Sequence, residues 1–169
     1  MEKVKKYQVK LSVLLDSIEY CSDVEEDGYY VVRSTNEITV WGEGLGEDFS
    51  DIYDDEAFDF VTSEQCFHLP TWHDLDNSDP NWAMNLPKKF ISEKIQDEKK
   101  KKQLTKANDA IFFNDRISNI PGSTKFVKTL SQMGYYEIWN KFIDDEYYAF
   151  KLSFIKKWCD ENNVEIVDD

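Results

Sequence analysis

The chain is poor in the residues that most often carry chemistry. It has two histidines, His68 and His73, five positions apart. It has three cysteines, Cys21, Cys66 and Cys159, an odd number spread over the length, with no Cys-x-x-Cys. That excludes a disulfide framework and a dithiol motif, and it predicts three reduced thiols in a cytoplasmic protein. No apolar run approaches the roughly 20 residues needed to span a bilayer. The basic start, Met1-Glu2-Lys3-Val4-Lys5-Lys6, lacks the apolar block of a signal peptide, so no membrane is expected as a partner. Lysine and arginine are missing altogether from Trp41 through Pro87.

Glycine is sparse too, and its one cluster fails as a nucleotide loop. Gly42-Glu43-Gly44-Leu45-Gly46-Glu47 follows a predicted strand, but the last position of the pattern is Glu47, and nearby carboxylates would repel a pyrophosphate. No cofactor is expected.

What is present is acid and aromatic surface. The net charge is -14 and aromatics make up 15% of 169 residues, enough core material for one domain. Twelve Asp and Glu lie between Gly42 and Pro80, and eight of the twenty basic residues follow between Lys88 and Lys106. An acidic segment therefore precedes a basic one. As solvated faces they keep a protein soluble. As docking faces they would steer a partner. Candidate partner-binding residues are Asp51, Asp54, Asp55, Glu56 and Asp59 on the acidic side and Lys99, Lys100, Lys101 and Lys102 on the basic side. The partner class is another protein, a basic one for the acidic face. The overall charge opposes nucleic acid.

Local pattern predicts an α+β fold. Tyr7–Lys10 reads as a short strand, and 11–21 as a helix with Ser12 as N-cap. Tyr29–Arg33 and Ile38–Trp41 form a hairpin through Ser34–Glu37. Residues 42–79 read as an acidic irregular segment, with one helical turn over 54–59. Phe49, Ile52, Tyr53, Phe58 and Phe60 make it too apolar for a linker, so part of it must pack on its own core or on a partner.

The C-terminal half reads as mostly helical. Trp82–Asp97 carries Phe90, Ile91 and Ile95, with a possible break at Pro87. Over 98–117 the helical spacing selects Leu104, Ala107 or Asn108, Ile111 and Phe112. Thr124–Met133 should begin at an N-cap, Ser123, and end at Gly134, with 135–142 as a link. The last helix, 144–163, should bury Tyr148, Leu152, Ile155 and Cys159 and end at Asn162-Asn163. The expectation is a single domain, 1–169, with the hairpin 29–41 as a small antiparallel sheet packed by about five helices.

Three constellations hold residue types that carry chemistry. Cys66, His68, His73, Asp74 and Asp76 gather zinc-type ligands, but their spacing matches no recognised site, and hydrogen bonding to backbone is the plainer expectation. Asp74, Asp76 and Ser78 mimic the start of a calcium loop, yet its demanding sixth and twelfth positions hold Asp79 and Asn85. A Cys66–His68 dyad lacks the reach for nucleophilic catalysis. Three functions follow: a non-enzymatic interaction module; an acidic inhibitor or nucleic-acid mimic holding a basic partner; and a metal protein or hydrolase built on the His68/His73 loop.

An ordered set of signals also resembles a group of small bacterial proteins known as uncharacterised protein family 0158. The set comprises the helix Leu11–Tyr20, the tyrosine-bearing hairpin, Leu69-Pro70, Phe90-Ile91, Leu104-x-x-Ala107, Trp139-x-x-Phe142, and a closing Trp158 with Asn162-Asn163-Val164-Glu165-Ile166. One departure stands out. Where that family tends to carry a Phe-Arg-Arg-Phe-like segment, this chain has Lys125-Phe126-Val127-Lys128, preceded by a longer stretch, 109–120. The resemblance implies a small bacterial cytosolic protein and names no enzyme, cofactor or substrate.

Overall fold

The computed structural model describes residues 6–20, 22, 24–42, 55–109 and 124–168. The fold is α+β and mostly helical, with seven α-helices and two small sheets among the described residues. The chain divides into two compact units, 1–78 with 151–169, and 79–150. Each has a core of its own.

The first unit begins with β1 (Tyr7–Lys10), which runs directly into α1 (Leu11–Glu19). Lys10, the last strand residue, occupies the cap position, so Ser12 lies inside the first turn rather than capping it. α1 buries Leu14, Ser17 and Ile18. The Ser17 hydroxyl donates to the Pro70 carbonyl at 2.7 Å, which makes its burial affordable. The hairpin forms as expected: β2 (Gly28–Val32) pairs antiparallel with β3 (Ile38–Trp41), Tyr30 opposite Thr39. On its other edge β2 takes β4 (Cys66–His68), Tyr30 opposite His68.

The segment 42–79, expected to be irregular, contains α2 (Asp55–Val61), β4 and α3 (Trp72–Ser78) among its described residues. In α2, Phe58 and Val61 turn to the sheet, with the Trp41 and Phe58 rings 5.6 Å apart. Glu56 and Asp59 face solvent. The described aromatics of the acidic segment thus pack partly on the chain's own core. Phe49, Ile52 and Tyr53 lie outside the described residues.

The chain re-enters this unit at Lys151, within α7 (Tyr136–Glu161), and closes with β5 (Val164–Val167). β5 pairs parallel with β1, Tyr7 opposite Val164. α7 starts at Tyr136, so the expected link at 135–142 is its first two turns. Ile155 and Cys159 are buried as expected, but Tyr148 is 47% exposed and Lys151 takes the inner position. Lys151 can do so because its ammonium reaches Glu19 at 2.6 Å, so the buried charge is paired.

The second unit holds a 3-10 turn (Trp82–Asn85), α4 (Leu86–Lys94), α5 (Glu98–Asp109), α6 (Thr124–Gln132) and the first part of α7. Pro87 sits in the first turn of α4, where its missing N–H costs nothing. The core joins Leu86, Phe90, Ile91 and Ile95 to Leu104, Phe126, Leu130, Trp139 and Phe142. Phe90 meets the Trp139 ring edge-on at 5.1 Å. α6 ends at Gly134 (φ 81), with Gly134 N–H donating to Ser131 and Tyr135 N–H to Leu130, which satisfies two carbonyls of the last turn.

Candidate functional site: a lysine-lined helical surface

The histidine loop is taken up by structure. His68 lies between two backbone carbonyls, Nδ1 at 2.6 Å from Leu69 O and Nε2 at 3.0 Å from Asp27 O, so whichever ring nitrogen bears the proton faces a carbonyl acceptor. Its ring packs beside Tyr30 at 4.4 Å. His73 Nε2 is 3.3 Å from the Ser22 carbonyl. Asp74 forms a reciprocal cap with Thr71 at the start of α3: the Thr71 N–H donates to Asp74 Oδ2 at 2.9 Å and the Asp74 N–H to Thr71 Oγ1 at 3.4 Å. Asp76 is exposed on α3. Cys66 is buried, and burial raises its thiol above the ordinary range. Among the described residues no group of three or more His, Cys, Asp or Glu could hold a metal.

The expected acidic face is described only in part. Asp51 and Asp54 lie outside the described residues, and Asp55 opens α2. Glu56 and Asp59 are exposed on one side of that helix.

The four candidate lysines of the basic face all lie among the described residues, and they are not its only cations. The second unit holds 12 of the 20 basic residues and 10 of the 34 acids, a net of +2; the first holds 8 and 24, a net of -16. Within the second unit the lysines concentrate on α4, α5 and α6. The Asp97 carboxylate starts α5, accepting from the amides of Lys99 at 2.9 Å and Lys100 at 3.1 Å. These N–H groups, that of Lys100 first, hold its carboxyl below the ordinary range. Helical spacing then turns Leu104, Ala107 and Asn108 inward and leaves Lys99, Lys102 and Lys106 in solvent.

Not every lysine is available. Lys100 Nζ donates to Tyr135 Oη at 3.2 Å and lies over that ring. Lys89 holds both oxygens of Glu146, at 2.9 and 2.8 Å, and this bond raises its pKa. Lys101 is 3.7 Å from Glu98. Among the described residues of this unit, no carboxylate pairs with Lys88, Lys94, Lys99, Lys102, Lys106, Lys125 or Lys128. The fold does not require this arrangement, since like charges a turn apart cost about 0.2–0.5 kcal/mol per pair.

Two grooves open on this surface. One, of about 430 Å³, runs between α5 and α6 with Lys106 and Lys125 on its walls. The other, of about 330 Å³, runs between α4 and α5, lined by Lys88, Ile91, Ser92, Lys101, Thr105 and Asn108. Nothing in the sequence marks Ser92 or Thr105, and Lys125 stands out there only as part of the segment that departs from the resembled family. The one available signal was the helical register that placed Asn108 as an alternative to Ala107 on the inner face of α5.

Among the described residues no helix is long and apolar enough to cross a membrane. Comparison of the chain with protein-family models, curated proteins and solved structures finds no match.

Proposed function

We propose that the protein is a non-enzymatic interaction module, and that the lysine surface of α4, α5 and α6 docks an acidic partner protein. The observation that carries this reading is the set of seven lysines on three neighbouring helices that form no ion pair with a carboxylate among the described residues of their unit, in a chain whose net charge is -14. A cluster of unneutralised charge speeds encounter with a partner of opposite sign and repels partners of the same sign. Exposed Tyr136, Ile138, Tyr147 and Met84 in the same unit supply apolar contact area.

The test is affinity capture on the intact protein beside a variant with Lys88, Lys99, Lys102 and Lys106 changed to Gln. An acidic protein held by the native chain, absent from the variant and eluted by moderate salt supports the reading. An identical set of captured proteins on both overturns it.

A second reading rests on the other unit. Its 24 acids against 8 basic residues suit a basic partner, with the acidic surface in the role of an inhibitor or nucleic-acid mimic. Capture of a basic protein that survives the lysine changes and is lost when Glu56, Asp59, Asp74 and Asp76 become Asn or Gln would favour it.

A further inference from the structure

We infer that the groove between α4 and α5 binds an oxyanion that keeps one proton, of which hydrogen phosphate is the simplest. This does not rest on the partner reading, because it concerns a small ion and the purified chain.

The inference starts at Asn108. Its side chain is 5% exposed, and its Oδ1 has no hydrogen-bond partner among the described residues. A buried acceptor left unmet is uncommon in folded proteins and costly. Core packing does not call for it, since its neighbours on the inner face of α5 are Leu104 and Ala107. What it borders is the groove.

The rest of the lining offers donors. α4 and α5 are joined by only three residues, 95–97, so they run as a helical hairpin and face each other with opposed direction. Lys88, Ile91 and Ser92 fall on one side of α4 at steps of three and one. Lys101, Thr105 and Asn108 fall on one side of α5 at steps of four and three. Lys88 and Lys101 bring positive charge, and Ser92 and Thr105 bring hydroxyls that can donate. Glu98 lies 3.7 Å from Lys101 but is itself 80% exposed, so it can yield that ammonium. Ile91 makes the apolar wall. The groove therefore has several donors, two cations and one unmet acceptor. A fully ionised oxyanion satisfies the donors and leaves the acceptor bare. An anion with one O–H satisfies both. The volume, about 330 Å³, falls at the small end of ligand sites.

Sulfate is the control, having the tetrahedral shape of hydrogen phosphate but no proton near neutral pH. Calorimetric titrations of the intact protein with each salt, at matched ionic strength, should show phosphate binding about tenfold more tightly, the worth of one hydrogen bond to a charged group. Phosphate should shift the amide resonances of 88–92 and 101–108. Lys101→Gln should weaken both anions. Asn108→Leu removes no hydrogen bond seen among the described residues, should leave the thermal midpoint unchanged or higher, and should erase the preference for phosphate. Thr105→Val, at an exposed position, checks the same groove should Asn108→Leu not fold. Absence of phosphate binding, equal binding of the two anions, or shifts confined to other residues would each overturn the inference.

Discussion

Asn36 shows how much one side chain can organise. It sits in the β2–β3 turn with φ 63, a conformation that asparagine tolerates better than most residues. From there its amide reaches β1, donating to the Gln8 carbonyl at 2.8 Å and accepting from the Gln8 N–H at 3.0 Å. The side chain thus stands in for a neighbouring strand on the edge of β1 away from β5. Asn36→Asp keeps the turn but replaces the donor with an acceptor opposite a carbonyl. The bonds are open to solvent, so we expect it to cost about 0.5–1.5 kcal/mol in denaturant unfolding. Asn36→Gly keeps the backbone and should lose about as much from the missing bonds. At Gly28 the constraint is steric as well as conformational: φ is 139, and an added Cβ would lie 2.6 Å from His68 Cε1. Gly28→Ala should cost about 2–4 kcal/mol. Gly134→Ala, with open space around it, should cost only the conformational difference, about 1 kcal/mol. A larger loss at Gly134 than at Gly28 would contradict this ranking.

Two buried groups also set an alkaline limit. Burial pushes the Cys159 thiol up to about 11, with Asp160 adding to the effect. Burial pushes the Tyr30 phenol up to about 12, reinforced by Glu26, Asp27 and Cys66. Tyr30 Oη also donates to the Glu26 carbonyl. In both cases the folded chain holds its proton longer than the unfolded chain. Stability from these groups is fully present below the unfolded values and is lost as pH rises toward the folded ones. The window runs from about 9 to 11 for Cys159 and from about 10 to 12 for Tyr30. Urea midpoints should fall across that range, by on the order of 2 kcal/mol for each group. Cys159→Ala should flatten the lower part of the fall and leave the upper part in place.

At the scale of elements, the legible parts were those specified by neighbours in sequence. The hairpin was readable because aromatic and β-branched runs flank a polar turn, and its predicted strands are β2 and β3 to within a residue. The Gly134 stop was readable because that position takes a left-handed residue. α2 was partly readable, since its expected turn at 54–59 becomes Asp55–Val61. Elements held by distant partners were not. β4 has three residues and exists because β2 offers it an edge; β5 exists because β1 does. α3 has a single buried residue, Leu75, so no apolar period announced it. On α7 the helical period alone places Tyr148 on the inner stripe and Phe150 or Lys151 on the stripe beside it; the structure buries Lys151, to which Glu19, 132 positions away, gives a partner. Glu19→Gln should then hurt more than Lys151→Met. The first weakens the pairing of a buried ammonium, while the second replaces stem and charge with an apolar chain of similar length. Thermal midpoints of the two variants decide it. The candidate site was legible as a basic run. The groove was not, because it needs α4 and α5 to face each other and depends on a polar residue, Asn108, at a position where the helical period asks for an apolar one.

At the scale of the whole molecule, charge is the property most unevenly shared. The unit of 1–78 with 151–169 carries a net -16, while the unit of 79–150 carries +2. Each has its own buried set: Leu14, Ile18, Val31 and Ile155 in the first, Phe90, Leu104, Leu130 and Trp139 in the second. Self-repulsion within a compact body opposes its folding, and salt relieves it. Raising ionic strength from about 0.01 to about 0.15 M shortens the screening length from about 30 to about 8 Å. That is enough to silence distant carboxylate pairs while leaving the bidentate Lys89–Glu146 contact largely intact. Salt should therefore stabilise the first unit selectively. Native-state hydrogen exchange can resolve this, because protection is read amide by amide. Amides of Val9, Val31 and Ile155 should exchange more slowly at the higher salt, and those of Phe90, Leu104 and Leu130 should change little. A uniform change across both sets would mean that net charge does not govern the stability of either. A selective one would mean that the acidic residues persist at a cost to the fold, which is the condition under which a binding role explains them better than solubility does.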